Sequence, residues 1–216
     1  MKLLKALLPV FCCLVLFPAA VKAQSGGAEL SLKARVSGFQ GRFGETYSAI
    51  GVEPALTIRP QSMPRAAIGL SYSKSMLNFD ATSDMEADMH LFNLHSGVKG
   101  TVATHFHPFA YAMVGMRFMN YTNLNAPTDT DSKFTSVSLG LGGKAGVQIG
   151  KNNWRFETTI EYLTGTNSRY LTPEAFNQAV NQGRNVREFT KRSLITSFTV
   201  GAGIAFVMDW DKIPQE

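Results

Sequence analysis

The stretch that decides the fold is 194–210, LITSFTVGAGIAFVMDW. From Phe198 onward every second residue is apolar: Phe198, Val200, Ala202, Ile204, Phe206 and Met208. A period of two is the signature of a β-strand. Between these residues stand Thr199, Gly201, Gly203, Ala205 and Val207, so the second face is nearly stripped of long side chains. A strand of a soluble sandwich shows water polar side chains on that face. This one asks for an environment with bulk on one side and almost nothing on the other.

The start of the chain supplies the first part of the answer. MKLLKALLPVFCCLVLFPAAVKAQ opens with Lys2 and Lys5, continues with apolar residues from Ala6 to Val21, and closes on Val21-Lys22-Ala23. This pattern predicts a secretory signal peptide, residues 1–23, cut after Ala23. Pro9 and Pro18 interrupt the apolar stretch, and no charged stop-transfer flank follows it, which argues against a membrane anchor. Both cysteines, Cys12 and Cys13, fall in the removed segment. An exported chain without disulfides must be held together by other means, and thiolate metal sites and cysteine nucleophiles are excluded. Losing Lys2, Lys5 and Lys22 lowers the basic count from 21 to 18 against 16 acidic residues, so the net charge falls from +5 to +2. The basic whole-chain balance therefore gives no argument for nucleic acid. No apolar stretch long enough for a membrane helix remains.

Residues 24–216 read as one domain of alternating segments between turn signals. Strands are predicted near 29–39, 46–58, 65–77, 90–104, 108–121, 134–149, 154–163 and 194–208. RPQSMP (59–64), THFH (104–107) and GKNN (150–153) are short connections, whereas 78–89, 122–133 and 164–193 are long and polar. QGRFGET (40–46) belongs by order to the long side but is short. Short turns at one end and longer loops at the other are what a strand meander across a membrane produces, and eight strands return the chain to its starting side.

Parity sorts the residues into two faces. Leu30, Leu32, Ala34 and Val36 oppose Ser31, Lys33, Arg35 and Ser37 in the first strand. Ala110, Ala112, Val114, Met116 and Phe118 oppose Tyr111, Met113, Gly115 and Arg117 in the fifth. Val137, Leu139, Leu141, Ala145, Val147 and Ile149 oppose Ser136, Ser138, Gly140, Gly142, Lys144, Gly146 and Gln148 in the sixth. Trp154, Phe156, Ile160 and Tyr162 oppose Arg155, Glu157, Thr159 and Glu161 in the seventh. The apolar face is almost free of charge, Lys74 being the main exception, and a Lys or Arg at the lipid midplane costs about 2–4 kcal/mol. The polar face is rich in glycine and serine, which suits the cramped interior of eight strands. Aromatic residues are expected in two outward bands: Tyr72, Phe92, Phe118, Tyr121, Phe134 and Tyr162 near the long loops, and Phe106, Trp154, Phe206 and Trp210 near the short turns. The fold class is thus all-β, an eight-stranded antiparallel up-and-down transmembrane β-barrel with its apolar face to lipid.

With the signal MKLL…VKAQ, the strand-turn rhythm and the closing SFTVGAGIAFVMDW, the chain resembles the small bacterial outer-membrane β-barrels, the eight-stranded porin-like and OmpA/OmpX-type family. The resemblance implies the outer membrane of a Gram-negative envelope, contact with outer-membrane lipid and lipopolysaccharide, and insertion by the barrel-assembly machinery. Family members usually end on an aromatic residue; here DKIPQE follows Trp210. Pro54 lies inside the second predicted strand, where a bulge or a shorter strand is expected.

Lys33, Arg35, Lys99, Arg117, Lys144 and Arg155 share the lumen face with Glu53, Glu157, Glu161, Asn93 and His95. Two readings follow: an internal salt-bridge network that plugs the barrel, or a cation-lined pore that prefers anions. The plug is adopted, because eight strands leave little bore. Some eight-stranded barrels modify lipid A with His and Ser, and HLFNLHSG brings His90, His95 and Ser96 close in sequence. In a strand His95 and Ser96 point to opposite faces, and His105 and His107 sit in a short turn. A non-enzymatic protein without metal or cofactor is therefore expected. Its role is structural, surface-interacting or narrow-porin. The alternatives are a lipid A-modifying enzyme and a soluble exported barrel holding a small apolar ligand.

The second loop carries Asp80, Asp84, Glu86 and Asp88, the third Asp129 and Asp131, and the fourth Arg169, Arg184, Arg187, Lys191 and Arg192 against Glu174 and Glu188. TDTDS lacks the glycine and distal Glu of a calcium loop. In the fourth loop TPEAFNQAVNQG predicts a helix capped by Thr172, begun by Pro173 and stopped by Gly183. Phe176 and Val180 would share one side of it.

Overall fold

A computed structural model describes residues 25–63, 65–78, 85–102, 105–123, 133–151 and 153–208. The expected signal peptide, Trp210, Asp80, Asp84, Asp129 and Asp131 lie outside these residues. Eight long strands form one closed barrel: β1 (Ser25–Phe39), β2 (Ser48–Pro60), β3 (Ala66–Asn78), β4 (Met85–Lys99), β5 (Phe106–Asn123), β6 (Lys133–Ile149), β7 (Trp154–Gly165) and β10 (Ser197–Met208). Each pairs antiparallel with its chain neighbour, and β10 closes on β1. Between β7 and β10 the chain forms a short ribbon of β8 (Asn167–Tyr170) and β9 (Lys191–Leu194), with a helix Pro173–Asn181 between them. Closure leaves the barrel wall without a free edge in hydrocarbon, where each unpaired backbone group costs several kcal/mol.

The apolar face is the outer one. Leu30, Val36, Leu70, Leu141, Ile160 and Val200 are each half exposed or more on the outside of the wall, and Leu141 reaches 62%. This orientation is the reverse of the one a soluble barrel requires, where the apolar face of the wall points inward. Gly201 and Gly203 stand directly beside Arg35 and Lys33 of β1. The same pairing recurs around the wall: Gly51 beside Arg35, Gly69 beside His95, Gly97 beside Tyr111, Gly115 beside Asn93, Gly146 beside Phe109. A large inward side chain on one strand is accommodated by an absent one on the next.

Two parity readings change. Tyr121 and Phe134, assigned to the outer band, are buried inward and stack on each other at 5.8 Å between ring centroids. They share parity with Arg117 and Ser136, so the alternation itself assigns them to the interior. Tyr72, Phe92, Phe118 and Tyr162 do face outward near the long loops, and Trp154 packs on Phe206 (4.9 Å) near the short turns. The fourth strand runs over 85–99, not 90–104, and Glu86 and Asp88 are part of it rather than of a loop. Both acids lie on the outer face at the long-loop end, and Asp88 sits 3.8 Å from Lys74. β2 passes through Pro54 without bulge or shortening: Leu32 pairs Pro54 in continuous register with β1. On the β3 side the ladder skips from Val52–Lys74 to Ala55–Ser71. The one-residue shift lies instead between Ser25 and Gly27.

Candidate functional site: the lumen and its lid

Of the ionisable side chains expected on the lumen face, Lys33, Arg35, Glu53, Lys99, Lys144, Glu157 and Glu161 lie in one buried network. Glu53 on β2 is the hub: its oxygens lie 2.6 Å from Lys144, 2.7 Å from Arg35 and 3.1 Å from Lys33. Lys33 also reaches Glu157 at 2.8 Å, Arg35 reaches Glu161 at 3.2 Å and donates to Thr199, and Lys144 lies 3.6 Å from Glu161. Gln148 donates to Glu157 at 2.6 Å and to Glu29, and Lys99 donates to both Glu29 and Gln148. The chain of contacts is continuous from Lys99 to Glu161, and every member is under 5% exposed. Such burial is tolerable because each charge has an opposite charge and further hydrogen bonds.

Glu29 and Gln148 escaped the sequence assignment as network members. Glu29 shares parity with Lys33 and lies four residues before it, so its face was readable; Gln148 was placed on the lumen face but carries no charge to single it out. His95 Nε2 sits 3.0 Å from Thr57 Oγ1, and its ring stacks on Tyr111 (5.0 Å), which stacks on Phe109 (4.9 Å). Asn93 is buried beside Gly115. Arg155 is half-buried at the short-turn end. Arg117, 1% exposed, stands apart: among the described residues no carboxylate lies within 4 Å of it, and it donates to Ile195 O (3.0 Å) and Ser197 Oγ (3.3 Å). It fastens the wall to the entrance of β10. Among Glu29, Lys33, Thr57, His95, Tyr111 and Glu157 the space left is about 10 Å³, roughly room for one water.

The histidines are dispersed. His90 faces outward, 2.7 Å from the Tyr72 hydroxyl, and His107 lies 3.1 Å from Thr101. His105 is exposed. His95 points inward and is buried, whereas Ser96 has the opposite parity.

Above the ionic layer the lumen is apolar, which the sequence reading missed. Leu77, Met85, Met89, Met119, Tyr121 and Phe134 face inward, and the loops close over them. The turn Gly41–Gly44 inserts Phe43, fully buried, against Tyr47 (4.8 Å) and Tyr170 (5.4 Å). Gly41, at φ +68°, makes the left-handed step that a side chain would resist. The fourth loop adds the helix Pro173–Asn181, whose N-cap Thr172 accepts from Ala175 N at 3.3 Å. Phe176 and Ala179 enter the cluster; Val180, expected beside Phe176, is 47% exposed. Residues 176 and 180 are neighbours on a helix, but this helix meets the mouth along 175, 176 and 179, which leaves 180 beyond the edge of the buried stripe. The Tyr47 hydroxyl donates to Leu171 O, and burial raises the phenol above its ordinary range, so it stays a neutral donor.

Phe176→Ala is expected to cost the lid about 3–5 kcal/mol without opening the barrel. Trypsin should then cut at Arg184 or Arg187 in protein whose gel mobility still shifts on boiling. Unchanged protection would show that the helix is held by something other than its buried ring.

No family model and no curated protein matches the sequence. Solved structures do resemble it. Neisserial surface protein A superposes with a TM-score of 0.55 at 13% identity, covering 83% of this chain and 96% of that one. The outer membrane protein OprG from Pseudomonas aeruginosa gives 0.49 at 12% identity over 87% of this chain and 99% of that one. Ail, the attachment invasion locus protein of Yersinia pestis, gives 0.48 at 11% identity over 85% and 100%. At these identities the likeness concerns architecture alone. The outward apolar wall, the ionic lumen and the superposition on Neisserial surface protein A converge: the chain folds as an eight-stranded antiparallel barrel of the small outer-membrane type.

Proposed function

We propose that this protein is a non-enzymatic resident of the outer membrane whose barrel is a sealed anchor and whose long-loop face carries its structural or surface-interaction role. The observation that supports it is the lumen itself: a continuous ionic lattice through the middle and an apolar lid over one mouth. Eight strands enclose little more than their own side chains. Conduction would require breaking several buried ion pairs at once, each costly to leave half-made. In this reading outer-membrane lipid and lipopolysaccharide surround the wall, the barrel-assembly machinery inserts it, and a leader peptide removed on export delivers it.

Planar-bilayer recording tests this. Purified full-length protein is expected to give no stable conductance step at neutral pH. A defined, reproducible open level would replace the sealed anchor by the narrow anion-preferring pore, since positive lumen side chains would then face the ion path.

A further inference from the structure

The ribbon of β8 and β9 has two unlike faces. Its inner face is pinned: Ser168 Oγ lies 2.6 Å from Ser136 Oγ of β6, and Tyr170 packs edge-on against Phe43. Its outer face carries Asn167, Arg169, Arg192 and Leu194, all exposed. The register sets Arg169 directly opposite Arg192. Directly opposed residues have Cβ atoms about 4.5–5.5 Å apart, and like charges so placed are destabilising. Among the described residues no carboxylate lies within 4 Å of either guanidinium, whereas Arg184 of the same loop is engaged by Glu188 and lies 5.3 Å from the Phe189 ring. Lys191 ends the ribbon opposite Tyr170 and so belongs to the inner face, leaving Arg169 and Arg192 as the charged pair of the outer one.

We propose that this outer face binds clustered phosphate groups, with Arg169 and Arg192 as the clamp. An oxyanion between two guanidinium forks turns the repulsion into two charge-assisted, bidentate contacts. The pinned inner face keeps the two arginines together without ligand, so little ordering has to occur on binding. Leu194, 49% exposed, and below it the outward Phe198 and Tyr162 continue the same side of the molecule down to the lipid-facing wall. The phosphates can come from a phosphorylated glycolipid headgroup or from a soluble polyphosphate; the chemistry recognised is the same. The inference rests on the ribbon and stands whether or not the lumen conducts.

The test uses the full chain in phosphatidylcholine nanodiscs at low ionic strength, where exposed charges are least screened. One arm titrates inositol hexakisphosphate by calorimetry. The other adds lipid A bisphosphate to the discs and counts retained molecules by native mass spectrometry. R169A/R192A is expected to weaken phosphate binding by about tenfold or more. R65A/K151A, which removes two exposed cations from the short-turn end, should leave it unchanged. The ribbon variant should also keep, or raise, the temperature at which the compact gel band is lost, because a like-charge contact has gone. A merely structural pair would lower it. If the double variant does not fold, R192Q alone is read the same way. Loss confined to the lipid arm assigns a membrane headgroup; loss confined to the soluble arm assigns a free polyphosphate. No binding by the unaltered protein in either arm, or equal loss in both variants, overturns the site.

Discussion

Glu53→Gln is expected to destabilise the barrel by about 3–5 kcal/mol, the usual cost of stranding a buried charge. Glu53 neutralises Lys33, Arg35 and Lys144 together. The amide keeps the shape and removes the charge, so three enclosed cations are left facing one another with only Glu157 and Glu161 nearby. Urea unfolding of detergent-solubilised protein, followed by the boiled and unboiled gel bands, reads the effect. Glu161→Gln is the comparison: it touches Arg35 at 3.2 Å and Lys144 at 3.6 Å and should cost clearly less. Equal midpoints for Glu53→Gln and the unaltered protein would mean that the lumen is wet enough to screen its charges.

The second large effect is expected at the seam. Gly203→Val should abolish the compact gel band. A Cβ on Gly203 would sit 2.0 Å from the carbonyl oxygen of Leu32 and 2.6 Å from the Cα of Lys33, both backbone atoms of β1. No rotamer relieves that overlap, so β1 and β10 must separate. Separation exposes ladder groups to hydrocarbon at several kcal/mol each. Val200→Ala, on the outer face of the same strand, should leave the band intact. A heat-modifiable Gly203→Val protein would show that the seam is looser than drawn.

Most of the wall was legible because lipid and lumen impose opposite demands on alternate residues. Arg35, Glu53, Lys144 and Glu161 announce the inner face by parity alone. The sequence misled where the strands leave the membrane. Met85-Glu86-Ala87-Asp88-Met89 alternates correctly, yet its acids suggest loop; above the bilayer an outward carboxylate costs nothing, so the strand runs on. Tyr121 and Phe134 were misplaced by expecting aromatic rings at the interface, whereas their parity turns them toward a lid that comes from residues 43 and 170–195. That lid joins segments over a hundred residues apart, and no local pattern marks them as neighbours.

Arg117 has a consequence for biogenesis. Its acceptors, Ile195 O and Ser197 Oγ, lie at the entrance of the final strand. Lys33 and Arg35 likewise wait for Glu157 and Glu161, more than 120 residues downstream. An insertion intermediate lacking its last hairpin therefore holds several uncompensated cations at the bilayer, and release from whatever guides it becomes favourable only when the C-terminal segment docks. The ions act as a completeness check: the last strands must dock before the closed wall has a comfortable inside.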